Sequence, residues 1–325
     1  MVGVPFRFPA GMPSTAPTRS RPHLIVALVT PFTADGAVDR PSLARLVAHL
    51  RAGGVNEFFA VGSTGEAPLL DESDRLAVIE TVRAAAPDGV LYAGVSGSGH
   101  KHAIRNARAA AAAGADFAVV MSPFFVALDQ RQLGDFAWAI ADGSPVPLAV
   151  YHHLRMPTPF AVPTVARLAE HPNIVALKDT NGGDHNRCAE ILAATAGRPF
   201  QFFQGVEKLV LPTLAAGGHG CVVAQGCIAP RLYRDLFTAW EEGETGRAAE
   251  LQGRIDALWS VFTRAEVRQS FAHFLHTLKL PLQQRGVIAT TAGALPHVTI
   301  EPDYSRLIAD FMQAHLEPVP AVPAP

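Results

Sequence analysis

Eight short apolar runs, rich in β-branched and aromatic residues, alternate along this chain with Ala-, Leu- and Arg-rich stretches. The runs are HLIVALV from His23, EFFAV from Glu57, VLYAGV from Val90, FAVVM from Phe117, PLAVY from Pro147, IVALK from Ile174, FQFFQ from Phe200 and GCVVA from Gly220. Parallel strands that are buried on both faces read as continuous apolar runs of this kind. The stretches between them space apolar residues as amphipathic helices do, and Asp71 is expected to cap the second helix. The pattern predicts a closed (β/α)8 barrel.

A doubly wound open sheet is the alternative, but no G-x-G-x-x-G follows the first run and no P-loop motif occurs. The barrel is predicted over residues 23–228, after a flexible N-terminal tail at 1–22. A helical subdomain is predicted over 229–316 and a flexible tail at 317–325. The helices expected in that subdomain start near Arg231, Thr245 and Glu266, and a last one runs from Tyr304 to His315.

Composition excludes several classes of partner. The formal net charge is −2 and the pI is near 6.7, so the chain lacks the cationic surface that nucleic acids or anionic membranes attract. No apolar run approaches the roughly 20 residues that span a bilayer. Three cysteines, without a disulfide pattern, suit a reducing cytoplasm. No HExxH or Cys-x-x-Cys motif indicates a metal site, so a small molecule is the expected partner.

Lysine is scarce in this chain: 23 of the 27 basic residues are arginine, and lysine occurs only at positions 101, 178, 208 and 279. Lys178 closes the run IVALK, and active sites of (β/α)8 barrels lie at the carboxyl ends of the strands. A lysine there is partly desolvated, which favours the neutral amine that condenses with ketones. The alternative is a lysine at the barrel rim or one paired with Asp179.

Two further elements follow strands. Tyr151 closes the fifth run, next to the run of Lys178, and its phenol is a candidate proton carrier. The alternative is a tyrosine at the barrel rim whose ring is apolar and whose hydroxyl contacts water. Gly62, Ser63 and Thr64 open a turn after the second run, whose N–H groups and hydroxyls suit a carboxylate. The alternative for this turn is an ordinary βα connection with Thr64 as a helix cap. Together the three elements describe a site for a 2-oxo acid.

These residues occur in a pattern that resembles the dihydrodipicolinate synthase and N-acetylneuraminate lyase family of pyruvate-type class I aldolases. The resemblance covers roughly residues 24–316. It runs through ALVTPF from Ala27, DGAVD from Asp35, GSTGE from Gly62, AGVSG from Ala93, GAD and SPFF between Gly114 and Phe125, the strand ending in Tyr151, ALKDTNG from Ala176 and QGVEKLVLPTLAAGGHGCVVA from Gln204.

The resemblance implies a role for each matching residue. Lys178 corresponds to the Schiff-base lysine and Tyr151 to the proton-shuttling tyrosine, while Ser63 and Thr64 correspond to the carboxylate-binding pair. The backbone carbonyls at Gly205 and Val222 are implied to line the pocket. The family also implies a homotetramer, and neither a metal nor an organic cofactor, because the lysine itself supplies the electron sink.

The chain departs from the synthases of this family at two places. They carry two adjacent tyrosines, the second of which completes a proton relay across the subunit interface, where this chain has Phe124 and Phe125. After the tyrosine they read approximately Asn-x-Pro-x-Arg, with the arginine on the second substrate's carboxylate. Here the stretch is YHHLRM, one residue shorter up to the lysine, so Arg155 is displaced.

The same stretch contains adjacent histidines at 152 and 153. Because successive strand residues alternate in direction, one of them is expected to reach the pocket, with His153 as the candidate, and the other to face the barrel wall. His153 and Arg155 are therefore candidate substrate-binding residues. A metal bound by this pair is the alternative, although no third ligand is visible in the sequence. Glu66 is expected to hold its own loop.

The leading hypothesis is a cytoplasmic lyase that forms a Schiff base with pyruvate or a related 2-oxo acid. It would make or break a carbon–carbon bond, or eliminate water. The sequence KDTNG after the strand resembles the family branch that acts on 2-keto-3-deoxy sugar acids. One alternative is dihydrodipicolinate synthase (4-hydroxy-tetrahydrodipicolinate synthase). Another is a non-catalytic barrel that binds a 2-oxo acid.

Overall fold

The structure is a computed structural model that describes residues 21–181, 184–263, 270–294 and 302–315. The predicted tails therefore lie outside the described residues, except for residues 21 and 22. So does the expected start of a helix at Glu266.

Eight parallel strands form a closed barrel in which each strand pairs with the next and β8 pairs with β1. They are β1 His23–Ala27, β2 Glu57–Ala60, β3 Val90–Gly94, β4 Phe117–Met121, β5 Leu148–His153, β6 Ile174–Thr180, β7 Gln201–Gln204 and β8 Gly220–Val223. The predicted (β/α)8 barrel is confirmed, and all eight apolar runs are strands.

One helix follows each strand on the outside of the barrel. These are α1 Arg40–Ala52, α2 Glu72–Ala85, α3 His100–Ala112, α4 Gln130–Gly143, α5 Val162–Leu168, α6 His185–Ala194, α7 Val210–Ala215 and α8 Pro230–Glu241. The Asp71 side chain accepts a 2.8 Å hydrogen bond from the Asp74 N–H, so the predicted cap of α2 is confirmed. Asp39 and Asp129 cap α1 and α4 in the same way.

The alternation of side chains along a strand divides the core into two layers. On β6, Ala176 belongs to the cluster inside the barrel, whereas Leu177 packs in the layer between the strands and helices. Lys178 is two residues beyond Ala176 and therefore faces the interior as well. Asp179 faces outward, where it contacts Arg187 of α6. The strand thus points its lysine into the barrel and its aspartate away from it.

Three helices extend beyond the barrel: α9 Thr245–Phe262, α10 Phe271–Gln284 and α11 Pro302–His315. Helix α8 follows β8 and contacts β1, so it completes the outer ring. The predicted boundary at residue 228 therefore separates β8 from its own helix, and the additional helices begin at α9. Helix α10 begins at Phe271 because the Ser270 hydroxyl accepts the His273 N–H.

Helices and cysteines can be compared with the expectations from composition. Within the described ranges, no helix is both long enough and apolar enough to cross a membrane. Cys188, Cys221 and Cys227 are buried free thiols. Burial raises the pKa of each thiol, so these side chains behave as small apolar groups.

Candidate active site

A cavity of about 320 Å³ opens at the carboxyl ends of the barrel strands. Eight of the nine site residues predicted from the sequence line it: Ser63, Thr64, Tyr151, His153, Arg155, Lys178, Gly205 and Val222. Gly62 does not line the cavity; its carbonyl accepts the N–H groups of Gly65 and Ala67 and so closes the turn. The fold thus gathers residues from five strands or strand ends into one space.

Lys178 is buried, with 5% of its surface exposed, and is paired in register with Tyr151 of the neighbouring strand. Its Nζ lies 4.0 Å from the centroid of the Tyr151 ring and 5.0 Å from that of Phe59. Among the described residues, no carboxylate lies within 4.0 Å of this nitrogen. The structure therefore does not contain the alternative Lys178–Asp179 ion pair. Asp179 pairs with Arg187 instead.

Tyr151 connects the lysine with the turn after β2. Its hydroxyl lies 3.2 Å from the Ser63 Oγ, within hydrogen-bonding distance. The ring packs edge-on against Phe59, with 6.3 Å between centroids. The strands extend two residues further than the apolar runs indicate, to His153 and Thr180. Tyr151 and Lys178 consequently lie one layer inside the rim, where water has less access.

The turn after β2 has a strained backbone at both ends. Val61 has φ 55° and Glu66 has φ 62°, and no other described non-glycine residue has a positive φ. A β-branched residue in this region costs on the order of 1–3 kcal/mol, and such strain is typical of functional sites. The Val61 carbonyl would lie 1.8 Å from a Cβ on Gly94, so this conformation requires a glycine on β3.

Two backbone N–H groups of this turn are available to a ligand. The N–H groups of Gly65, Glu66 and Ala67 donate within the turn. Those of Ser63 and Thr64 donate to no described residue. Two adjacent N–H groups with two hydroxyls form a site for a carboxylate. Thr64 is not a helix cap as in the alternative interpretation, since Asp71 caps α2.

Glu66 does not simply hold its own loop, as was expected from the sequence. One carboxylate oxygen accepts a 2.6 Å bond from Lys279 Nζ on α10, and the other accepts the Ala294 N–H. Both charged side chains are buried. Burial lowers the pKa of Lys279, an effect that the Glu66 carboxylate opposes. Because this pair joins positions 213 residues apart, the sequence offered no local signal for it.

The wall of the cavity beside Lys178 is formed by β6 and β7. Gly205 donates its N–H to the Asp179 carbonyl, and a Cβ at this glycine would lie 2.1 Å from the Thr180 Oγ1. Thr180 lines the cavity, and its buried hydroxyl has no partner among the described residues. Thr180 was not predicted from the sequence, although its position two residues after Lys178 places it on the same face.

The two adjacent histidines point in opposite directions. His153 lines the cavity, whereas His152 is buried in the barrel wall, where its Nδ1 accepts the Phe160 N–H. Burial, followed by the charges of Lys178 and Arg155, lowers the pKa of His153 to about 4. Burial, followed by Arg187, lowers the pKa of His152 to about 4. Both imidazoles are therefore neutral near pH 7.

Glu207 is the one acidic residue among the described residues that line the cavity. Burial raises its pKa to about 6, and hydrogen bonds from the Gln225 and Ala224 N–H groups and the Tyr233 hydroxyl oppose this rise. These three donors occupy its carboxylate, so Glu207 anchors the segment after β8 to α8. The sequence gives no indication of this role, which depends on three separate elements.

The mouth of the cavity is formed by residues from beyond the barrel. Trp259 of α9 and Phe271 and Phe274 of α10 line it, together with Lys208. The Arg155 guanidinium lies 4.4 Å from the centroid of the Phe271 ring, a cation–π distance. These residues were not predicted from the sequence, because local patterns do not determine the position of the additional helices relative to the barrel.

A metal bound by the adjacent histidines was the alternative expectation from the sequence. The described ranges contain no group of three or more His, Cys, Asp or Glu side chains that could hold a metal ion. The two imidazoles also face away from each other, so they do not form a chelating pair. The donors in the cavity lining are hydroxyl, backbone amide, amine, guanidinium and imidazole groups, which suit an organic acid.

The fold and the site define a (β/α)8-barrel protein with a buried lysine on β6 opposite a turn after β2 whose Ser63 and Thr64 N–H groups have no described acceptor. The chain belongs to the dihydrodipicolinate synthetase family, whose model matches residues 21–315. It is 31% identical to 4-hydroxy-tetrahydrodipicolinate synthase of Kineococcus radiotolerans over 308 residues, which are 94% of this chain and 96% of that protein. It is 36% identical to the synthase of the same name from Acidiphilium cryptum, over 71% of this chain and 79% of that protein.

Solved structures agree with this assignment. Dihydrodipicolinate synthase from Bacteroides thetaiotaomicron superposes with a TM-score of 0.83 at 26% identity, covering 90% of this chain and 98% of that one. The chloride-inhibited dihydrodipicolinate synthase from Acinetobacter baumannii, solved in complex with pyruvate, gives a TM-score of 0.80 at 28% identity with the same coverage. The family assignment and the barrel thus rest on independent comparisons.

Proposed function

We propose that the chain is a lyase that forms a Schiff base between Lys178 and pyruvate or a related 2-oxo acid, such as a 2-keto-3-deoxy sugar acid. One observation carries the proposal. The Lys178 amine lies buried in the cavity without a described carboxylate partner, while the Ser63 and Thr64 N–H groups on the opposite side of the same cavity donate to no described residue. A ketone flanked by a carboxylate fits between these groups.

In the first step, the Lys178 nitrogen attacks C2 of the 2-oxo acid and the carbonyl oxygen takes up a proton. Loss of that oxygen as water gives the iminium ion. Tyr151 is positioned to move these protons, because its ring contacts Lys178 and its hydroxyl contacts Ser63. The Ser63 and Thr64 groups hold the carboxylate and so fix C2 beside the amine.

In the second step, the iminium accepts the electrons of the breaking bond at C3. In aldol cleavage the C4 hydroxyl loses its proton, the C3–C4 bond breaks, and the electron pair forms the enamine. Condensation is the reverse. In dehydration, a proton leaves C3 and hydroxide leaves the neighbouring carbon. Hydrolysis of the imine then releases the product and the free amine.

The comparisons support the choice of substrate. The curated relatives are named 4-hydroxy-tetrahydrodipicolinate synthase, and the structural relative from Acinetobacter baumannii was solved with pyruvate. That synthase activity is therefore the second candidate. Phe125 disfavours the synthase activity, because a phenylalanine cannot relay a proton. A coupled assay with pyruvate and aspartate semialdehyde separates the two candidates. We expect the protein to show little synthase turnover in this assay.

Borohydride trapping tests the proposal directly. Protein incubated with pyruvate and sodium borohydride is expected to gain one reduced pyruvyl group, located at Lys178 by peptide mass spectrometry. Lys178→Ala is expected to lose both the adduct and turnover, whereas Lys101→Ala, at an exposed lysine, keeps them. Wild-type protein that remains unmodified would refute the proposal. Calorimetry that detects binding of pyruvate without an imine would favour the non-catalytic barrel.

We further propose a cytoplasmic homo-oligomer, a tetramer by family resemblance. Three buried free thiols support the location. An apolar patch supports the assembly: Phe125 is 94% exposed and lies beside exposed Phe124 and Val126. Patches of this kind are typical of protein interfaces. Light scattering during size-exclusion chromatography measures the assembly, and a monomer at micromolar concentration would contradict it.

A further inference from the structure

His153 lies at a place in the cavity that the proposed mechanism leaves unassigned. It is two residues beyond Tyr151 on β5 and pairs in register with Thr180, just as Tyr151 pairs with Lys178. Its side chain therefore lies about 7 Å nearer the mouth than Tyr151. A 2-oxo acid held by its carboxylate at Ser63 and by C2 at Lys178 must extend its remaining carbons toward this layer.

The imidazole of His153 is fixed by its own turn. Its Nδ1 accepts the Arg155 N–H at 3.0 Å, and its backbone carbonyl accepts the Met156 N–H at 3.0 Å. The His153 N–H in turn donates to the Met156 Sδ at 3.3 Å. The ring also packs edge-on against Tyr151, with 5.9 Å between centroids. The orientation of this side chain is thus set before any ligand arrives.

The hydrogen bond at Nδ1 determines the tautomer. A backbone N–H is always a donor, so Nδ1 must be the unprotonated nitrogen. In a neutral imidazole the proton is then on Nε2. Burial is the main cause that lowers the pKa of the ring and keeps it neutral, and the surrounding groups add to it: Lys178 on β6, Arg155 in its own turn and His152 on β5 all disfavour an imidazolium. Glu207, which lines the same cavity, is occupied by its three donors.

We propose that His153 is a neutral Nε2–H donor to the oxygen on C4 of the bound 2-oxo acid, and that it selects substrates that carry this oxygen. The proposal rests on the Schiff-base function above. During aldol cleavage the C4 hydroxyl becomes a carbonyl, and negative charge develops on that oxygen before the C3–C4 bond is broken. A fixed donor stabilises that charge. His153 does not transfer the proton; the C4 hydroxyl gives its proton to Tyr151.

The proposal distinguishes His153 from the groups that act on the 2-oxo acid end. Pyruvate has no C4, so imine and enamine formation do not involve this histidine. Cleavage of a 4-hydroxy-2-oxo acid does involve it. Substitution at His153 is therefore expected to separate two activities that Lys178→Ala removes together.

Three variants test this prediction. His153→Leu removes the donor, His153→Gln places an amide N–H near the position of Nε2, and His152→Asn is the control on the opposite face of the strand, since its amide can still accept the Phe160 N–H. Folding of each variant is checked by thermal unfolding. Two readouts that need only pyruvate are borohydride trapping at Lys178 and exchange of the C3 protons in deuterium oxide. The third is pyruvate release from 2-keto-3-deoxygluconate and from 4-hydroxy-2-oxopentanoate.

We expect His153→Leu to lower kcat/KM for cleavage by roughly 10²- to 10³-fold while trapping and exchange stay within about threefold. His153→Gln is expected to recover cleavage to within about tenfold of wild type, and His152→Asn to leave all three readouts unchanged. Unchanged cleavage in His153→Leu, or an equal loss of trapping and cleavage, overturns the proposal.

Two further outcomes separate this proposal from the proposed function. A wild-type protein that forms the imine but cleaves neither 4-hydroxy acid overturns the role of His153 and leaves the Schiff-base function in place; one that forms no imine removes both. The pH profile adds an independent readout. A limb in kcat/KM near pH 6.5 that disappears in His153→Gln would mean that the imidazole titrates during catalysis, contrary to a neutral donor.

Discussion

Glu66 and Lys279 form a buried ion pair of 2.6 Å between the turn after β2 and helix α10. The exposed fractions of their side chains are 2% and 1%. Lys279 also donates to the Ala292 carbonyl, and Glu66 accepts the Ala294 N–H. The conformation of the turn that contains Ser63 and Thr64 therefore depends on a segment more than 200 residues later in the chain.

Breaking this pair on one side is expected to be costly. Lys279→Met leaves the Glu66 carboxylate buried without its cation, which typically costs about 3–5 kcal/mol of unfolding free energy. Because the turn loses its anchor, KM for pyruvate is also expected to rise, by about tenfold or more. Urea unfolding and steady-state kinetics measure the two effects.

The exposed pair Arg40–Glu80 provides the matched control. Glu80→Gln is expected to change the unfolding free energy by less than about 1 kcal/mol, since exposed pairs contribute little. The double variant Glu66→Gln with Lys279→Met is expected to recover part of the stability lost in Lys279→Met. If Lys279→Met lowers the unfolding free energy no more than Glu80→Gln does, the Glu66–Lys279 pair does not anchor the turn.

Gly205→Ala is expected to disturb the strand that carries Lys178. The new Cβ would lie 2.1 Å from the Thr180 Oγ1 and 3.0 Å from the Asp179 carbonyl. Overpacking of this kind costs about 1–3 kcal/mol, and displacement of β6 should reduce kcat by about tenfold or more. Gly253→Ala in α9, where nothing lies within 4 Å, is the control and should gain up to about 1 kcal/mol. Equal unfolding free energies and equal kcat values for the two variants would contradict the expected strain.

Tyr151→Phe removes one hydroxyl and keeps the ring that contacts Lys178. Loss of a positioned proton carrier should lower turnover by roughly 10²- to 10³-fold, with folding unchanged. Tyr92→Phe is the comparison, because Tyr92 is also buried inside the barrel but does not line the cavity. Its turnover is expected within about threefold of wild type. Similar turnover in the two variants would exclude Tyr151 as the proton carrier.

His49 is expected to make the fold sensitive to acid. Burial, followed by the charge of Arg285, lowers its pKa to about 4 from 6.5. Between these values the unfolded chain binds a proton at this residue and the folded chain does not, so stability falls as the pH is lowered. His49→Gln retains a donor to the Cys227 carbonyl, which Nε2 contacts at 3.1 Å. It should reduce the stability lost between about pH 6.5 and 4.5 by about 2 kcal/mol.

Urea unfolding across this pH range measures the effect of His49. The control is His100→Gln on the exposed start of α3, which should leave the pH dependence of wild type unchanged. A His49→Gln variant as sensitive to acid as wild type would mean that other groups are responsible.

The barrel and the positions of Lys178 and Tyr151 could be predicted because their signals are local. Continuous apolar runs mark buried parallel strands, and a polar residue that closes such a run lies near the carboxyl end of the barrel. The same reasoning predicted that the turn of Ser63 and Thr64 follows β2, which lies across the barrel from β6. The strand ends were set two residues short, because His153 and Thr180 are polar but still extended.

The rest of the site depends on contacts between distant elements. Neither the pairing of Glu66 with Lys279 nor the position of Phe271 at the mouth leaves a periodic pattern in the sequence. The same holds for α8, which packs against β1 and so belongs to the barrel ring, although it directly precedes the additional helix α9 in the chain. Strand order determines which residues line a barrel, but the docking of additional helices is decided by side-chain packing.

The scarcity of lysine has a practical consequence for chemistry on the folded protein. Lys178 and Lys279 are buried, so Lys101 and Lys208 are the lysine side chains that an acylating reagent reaches from bulk water. Lys101 lies on α3, whereas Lys208 borders the cavity. Replacing Lys208 by arginine would therefore leave Lys101 as the single accessible lysine, through which the protein could be attached to a dye or a solid support with its cavity unobstructed.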